Sequence, residues 1–159
     1  LRSAIRHDII LEQKKLFRKI MEFTSRLKIA PENLDDNVLK NMNKATIIDN
    51  TFSSNEESFK ELAATAKMVR GRKVLVTPGL VELGEKESEI NYSVGKLVYG
   101  VFDNIILVGN TNRTRSFAKG LEKKAEFISD TRNDYFAKIE ELSNKYDWIF
   151  LENDVTENY

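Results

Sequence analysis

Apolar residues recur along the first 44 positions with the period of a helix. Ile5, Ile9, Leu16, Ile20, Phe23 and Leu27 fall at spacings of three, four and seven and share one face. Ile10, Phe17 and Met21 widen that stripe, while Arg2, Arg6, Lys14, Lys15, Arg18, Lys19 and Arg26 lie mostly off it. The pattern predicts a basic amphipathic helix over 4–27. Such a helix either packs on its own protein, the commoner fate, or docks a membrane surface or a partner. Pro31 predicts the start of a second short helix, with Leu34, Val38 and Leu39 as its apolar side.

From Ala45 onward the pattern changes to short apolar runs separated by helical periodicity. Strands are predicted at 45–49, 73–77, 104–108, 126–129 and 148–151, the fourth being the weakest. Between them, Phe59, Leu62, Ala63 and Ala66 predict one helix, and Ile90, Val94, Leu97 and Val98 a second. Phe117, Ala118 and Leu121 predict a third, and Tyr135, Phe136, Ile139 and Leu142 a fourth. Strands that are apolar throughout and alternate with helices predict an α/β fold. Its sheet is mostly parallel, has about five strands, and carries helices on both faces. A boundary near 41–44 divides a helical segment, 1–44, from an α/β domain, 45–159.

Charge sharpens that boundary. Residues 1–44 hold 10 basic and 6 acidic side chains, and residues 45–159 hold 15 and 19. Over the whole chain 25 basic residues balance 25 acidic ones, so no global field draws the protein to nucleic acid or an anionic membrane. No apolar run approaches the roughly 20 residues of a membrane span. The absence of cysteine excludes disulfides, thiolate zinc sites and cysteine nucleophiles, and a reducing cytoplasm is the expected compartment. The one histidine, His7, excludes chemistry built on two histidines and lies on the basic flank of the first helix. The chain begins at Leu1 without a signal pattern, which is expected of a piece of a longer protein whose other part holds the chemistry.

In a parallel sheet, ligands bind beyond the carboxyl ends of the strands. After the first strand come Asp49, Asn50, Thr51, Phe52, Ser53, Ser54 and Asn55, dense in hydroxyls and amides and leading into a helix. Such a loop either binds an anion at the helix start or caps the helix through Ser54 or Asn55. Asp49 is expected at the end of a central strand, where a carboxylate holds a ribose hydroxyl or a metal. After the second strand, Gly79 and Gly84 flank Glu82, and the glycines suit tight turns. After the third, Arg113 and Arg115 suit a carboxylate or phosphate, although arginines exposed without a partner are the slightly favoured reading. Neither a dinucleotide fingerprint nor a phosphate-binding Gly-x-x-x-x-Gly-Lys loop occurs. No nucleophile, acid–base pair or metal cluster stands out, so no catalytic or metal-binding residue is assigned.

Two stretches resemble a known family. They are Thr46-Ile47-Ile48-Asp49-Asn50-Thr51-Phe52-Ser53-Ser54-Asn55 and Gly71-Arg72-Lys73-Val74-Leu75-Val76-Thr77-Pro78-Gly79-Leu80-Val81-Glu82-Leu83-Gly84. With the ending Phe150-Leu151-Glu152-Asn153-Asp154-Val155-Thr156-Glu157-Asn158-Tyr159, they resemble the C-terminal domain of Mur ligases, closest to the MurF-like branch. The resemblance covers about 45–159 and implies a Rossmann-like domain that closes over the active site of a three-domain ligase. A central domain, outside this chain, would bind ATP and magnesium. ATP would phosphorylate the carboxylate of a UDP-muramoyl-peptide, and the amine of a D-alanyl-D-alanine-type dipeptide would displace phosphate. On the resemblance, Asp49, Asn50, Ser54 and Asn55 are nucleotide-binding candidates, and Phe52, Glu82, Gly84 and Arg113 are substrate-binding candidates. The family's first motif runs Asp-Asp-Ser-Tyr-Asn-Ala-Asn. Here Asn50 replaces the second Asp, Phe52 the Tyr and Ser53 an Asn, which removes a charge and a hydroxyl.

The resemblance thus implies part of an ATP-dependent carboxylate–amine ligase in peptidoglycan precursor synthesis, inactive as this chain alone. The alternative is a non-catalytic module of the same fold that docks a partner through the helix at 4–27. An unrelated flavodoxin-like receiver ranks last, because Asp49 lacks a second carboxylate nearby in sequence.

Overall fold

The structure, a computed structural model, describes residues 45–50, 54–123 and 125–153. The predicted helices of 1–44, Phe52 and the residues after Asn153 lie outside the described residues. Five strands form one sheet: β1 (Thr46–Asn50), β2 (Lys73–Thr77), β3 (Asn104–Val108), β4 (Glu126–Ile128) and β5 (Trp148–Glu152). Their order is β1-β5-β2-β3-β4, and every pairing is parallel. Four helices connect them: α1 (Glu56–Met68), α2 (Glu87–Val98), α3 (Asn112–Gly120) and α4 (Arg132–Ser143).

Side chains alternate across a strand, and that alternation sorts the core into two layers. Ile48, Leu75, Ile105, Leu107 and Phe150 face Phe59 and Leu62 of α1, Val94 and Val98 of α2, and Phe117 of α3. Ile47, Val74, Val76, Ile106, Ile149 and Leu151 face Tyr135, Ile139 and Leu142 of α4. The parallel α/β sheet predicted from the apolar runs is therefore present, with helices on both faces. Strand ends differ by a residue or two: β1 and β5 run on to Asn50 and Glu152, and β4 stops at Ile128.

One position departs from the sequence pattern. Leu97 is exposed on α2, because the buried stripe of that helix runs through Asn91, Val94, Gly95 and Val98 instead. Gly95 and Gly120 let α2 and α3 touch backbone to backbone. A Cβ on Gly95 would lie 2.2 Å from the Phe117 carbonyl oxygen, and one on Gly120 2.1 Å from that of Tyr92.

The strand order also corrects one expectation. β1 lies at an edge of the sheet, not in its centre; β5, last in the sequence, inserts between β1 and β2. The residue at the end of an inner strand is therefore Glu152 rather than Asp49. Local pattern carries no information on where a returning strand inserts, so the order was not readable from the runs themselves.

Candidate functional site

The carboxyl ends of β1, β5 and β2 stand side by side, and the register pairs Asn50 with Glu152. By alternation, both of these side chains share the face of Ile48 and Phe150, the face on which α1 packs. Asp49 lies on the opposite face, with Ile47 and Leu151, and is buried.

Glu152 is fully buried, yet among the described residues no basic side chain hydrogen-bonds its carboxylate. It accepts from neutral donors instead. The Asn50 amide nitrogen lies 2.8 Å from Oε1 and 2.9 Å from Oε2. The Ser54 and Ser58 hydroxyls each lie 2.7 Å from Oε1. Burial is the largest influence on its acidity and pushes it up to about 7. The hydrogen bonds from Ser54, Ser58 and Asn50 oppose that rise, and the neighbouring Asp49 charge adds to it.

The start of α1 is built around the same serine. Asn55 is the N-cap: its Oδ1 accepts from the Ser58 backbone N–H at 2.9 Å, and the Asn55 N–H donates to Ser58 Oγ at 2.9 Å. Of the two roles open to this loop in the sequence, the structure places Asn55 in the capping one. Asn50 and Ser54 direct their side chains to Glu152.

The loop after β2 is pinned from three sides. The Arg113 Nε donates to the Pro78 carbonyl at 2.7 Å. Asn153 donates from Nδ2 to the Gly79 carbonyl at 2.7 Å, and its backbone N–H reaches the Asn50 carbonyl at 3.0 Å. Asn91, buried on α2, takes the Leu80 N–H on Oδ1 at 2.8 Å and returns Nδ2 to the Leu80 carbonyl at 3.0 Å. Gly79 has φ +81, and a Cβ there would lie 2.6 Å from Asn91 Oδ1, so this turn requires glycine. Glu82 and Gly84 lie farther along the same loop, both exposed and both at positive φ, 59° and 56°. For Glu82 that conformation is strained, by about 1 kcal/mol.

The two arginines do not stand free, contrary to the favoured reading of the sequence. Arg113 is committed to Pro78, and Arg115 donates to Asn110 and Asn112. Among the described residues, no group of three His, Cys, Asp or Glu side chains is placed to hold a metal ion. No described helix is long and apolar enough to cross a membrane.

The structure thus brings Asn50 and Ser54 together on Glu152, leaves Asn55 as the cap of α1, and holds Arg113 against the loop that carries Glu82 and Gly84. It also adds Ser58 and Asn91, which the sequence reading did not name, and gives contacts to Glu152 and Asn153, which that reading placed after the fifth strand without a role. One signal for Glu152 was present: continuing the alternation of Trp148-Ile149-Phe150-Leu151 by one step puts a carboxylate on a helix-covered face.

No family model matches the sequence, and no curated protein matches it. Solved structures do. Two crystal structures of MurF from Acinetobacter baumannii match with TM-scores of 0.54, at 21% and 22% identity over 69% of this chain. A structure of UDP-N-acetylmuramoylalanyl-D-glutamyl-2,6-diaminopimelate–D-alanyl-D-alanyl ligase from the same organism matches with a TM-score of 0.50, at 23% identity over 67% of this chain. This chain spans 25%, 24% and 23% of the length of those three proteins. The likeness shows that the chain has the fold of a portion of these ligases.

Proposed function

We propose that this chain is the closing domain of a MurF-like, ATP-dependent carboxylate–amine ligase. One observation carries the reading. The residues that resemble the Mur-ligase motifs come from segments far apart in sequence, yet the fold gathers them at the carboxyl ends of adjacent strands. That is where a parallel sheet binds ligands.

In this reading, ATP and magnesium are held mainly by a central domain outside the chain. ATP supplies the phosphoryl group that activates a UDP-muramoyl-peptide carboxylate. The residues of this chain orient and enclose. Glu82 and Gly84 are exposed on a loop whose base is fixed by Arg113, Asn91 and Asn153, so they meet an incoming dipeptide without collapse of the loop. Enclosure excludes water, which an acyl phosphate requires. The work belongs to peptidoglycan precursor synthesis, in the cytoplasm.

A second reading is favoured by one specific contact set. Asn50 and Ser54, two of the nucleotide-binding candidates, direct their side chains to Glu152. That suits a non-catalytic module of the same fold, which would recruit a partner through segment 4–27, for which the sequence predicts a helix.

The test is phosphate release by the full-length product of the gene that encodes this chain. It is given ATP, magnesium, a UDP-muramoyl-tripeptide and D-alanyl-D-alanine. Release that requires the dipeptide supports the ligase. No release, and no nucleotide binding by calorimetry, overturns it in favour of the module.

A further inference from the structure

Glu152 has no role in the ligase reading, and its surroundings are unusual for a buried carboxylate. Among the described residues three donors converge on it: Asn50 from β1, Ser54 from the loop before α1, and Ser58 from the first turn of α1. It is the point at which the edge strand, an inner strand and a helix start are tied together.

Hydrogen counting shows why this point accepts two states. Ser58 carries one hydroxyl hydrogen but has two close oxygen acceptors, Glu152 Oε1 at 2.7 Å and the Asn55 carbonyl at 2.8 Å, with the Ser54 hydroxyl farther off at 3.3 Å. With Glu152 ionised, that hydrogen serves Glu152. With Glu152 protonated, the acid O–H donates to the Ser58 hydroxyl, and the hydroxyl turns to Asn55. The same heavy-atom positions therefore suit both forms, and only the ionised form bears the cost of a buried charge without a cation.

We propose that Glu152 is a proton-operated clasp: in its neutral form it holds the start of α1 against β1 and β5, and loss of its proton loosens that junction. Opening lets water reach the carboxylate, so the open form releases the proton that the closed form retains. The groups facing the junction fit this direction. Asp49 on β1 adds a like charge. Glu56 and Glu57, in the first turn of α1, are acidic and exposed. β2 contributes the neutral Thr77 at its end, and Glu82 in the following loop is exposed. The nearest arginine of the loop cluster, Arg113 at the start of α3, is engaged by Pro78. The proposal stands whether or not the chain serves a ligase.

The experiment is hydrogen–deuterium exchange on the 159-residue chain, read as protection factors at Ser58 and Phe59 of α1 between pH 5.5 and pH 8. A carboxyl group near 7 when closed and at its ordinary 4.5 when open makes protection fall by about 30-fold across that range. Glu152→Gln keeps the shape, because the Asn50 amide can flip to accept from the new amide. Its protection changes by no more than about twofold over the same range. Asp49→Asn, which removes the like charge, moves the wild-type midpoint to lower pH. A flat wild-type profile overturns the clasp. So does a Glu152→Gln protein that keeps the slope, or a loss of protection shared equally by α2, α3 and α4.

Discussion

The two ends of the sheet use polar side chains in opposite ways. At the amino end they tie off connections in water. Asp147 accepts from the Arg72 N–H at 2.7 Å, and Asp103 accepts from the Lys73 N–H at 2.7 Å; both bonds are exposed. Lys73 reaches back to the Ala66 and Val69 carbonyls at the end of α1, a favourable place for a cation. At the carboxyl end the polar groups are buried. Glu152, Thr77, Asn91 and Asn153 are all inside, and Glu152 reaches partners 94 to 102 positions away. Side chains at the amino end replace water that remains close by. Those at the carboxyl end replace water that has been excluded, so each missing partner there costs more. The carboxyl end is also the end at which parallel sheets in general bind ligands.

That contrast is open to test by mutation. Asn91→Ala should be the most damaging change. It strips two buried peptide groups of Leu80 of their partner and leaves a cavity, for a loss of about 4 kcal/mol in denaturant unfolding. Asp147→Ala, at the opposite end, should cost less than about 1 kcal/mol, because water takes over at the exposed Arg72 N–H. Equal losses would erase the distinction between the two ends.

Next in size is pH. Glu152 has a folded-state value raised to about 7 from 4.5, so the folded state holds its proton more tightly than the unfolded state. The stability this confers is complete below 4.5 and is lost as pH rises through about 7. The shift corresponds to up to about 3 kcal/mol. Unfolding of wild type and Glu152→Gln at pH 5 and pH 8 measures it. The wild type should weaken with rising pH, and the variant should lack that component.

Arg113→Ala should produce a smaller effect, about 1 kcal/mol, since one partly buried hydrogen bond to Pro78 is lost. If Arg113 also meets substrate, the variant of the full-length enzyme should raise the KM for the dipeptide by more than its stability loss explains.

How much of this was legible in the sequence follows from the range of each interaction. The strands and helices were, because periods of 2 and 3.6 are written in neighbouring residues. The cap at Asn55 was also foreseen as one of two roles, since its partner Ser58 is three positions away. Glu152 was met only as the first residue after the apolar run Trp148-Ile149-Phe150-Leu151 and was given no role. Its partners Ser54 and Ser58 meet it only once β5 inserts beside β1. Leu97 misled for the related reason that periodicity fixes a stripe but not its edges: Gly95 and Gly120 bring α2 and α3 so close that the buried stripe rotates away from it.

The most direct test is chemical-shift mapping of the chain titrated separately with an ATP analogue and with D-alanyl-D-alanine at millimolar concentration. The account predicts shifts clustered at the carboxyl end, at the amides of Asp49, Ser54, Gly79, Glu82 and Arg113, with Asp103 and Asp147 at the amino end unmoved. Shifts confined to the amino end, or none with either ligand, would contradict it.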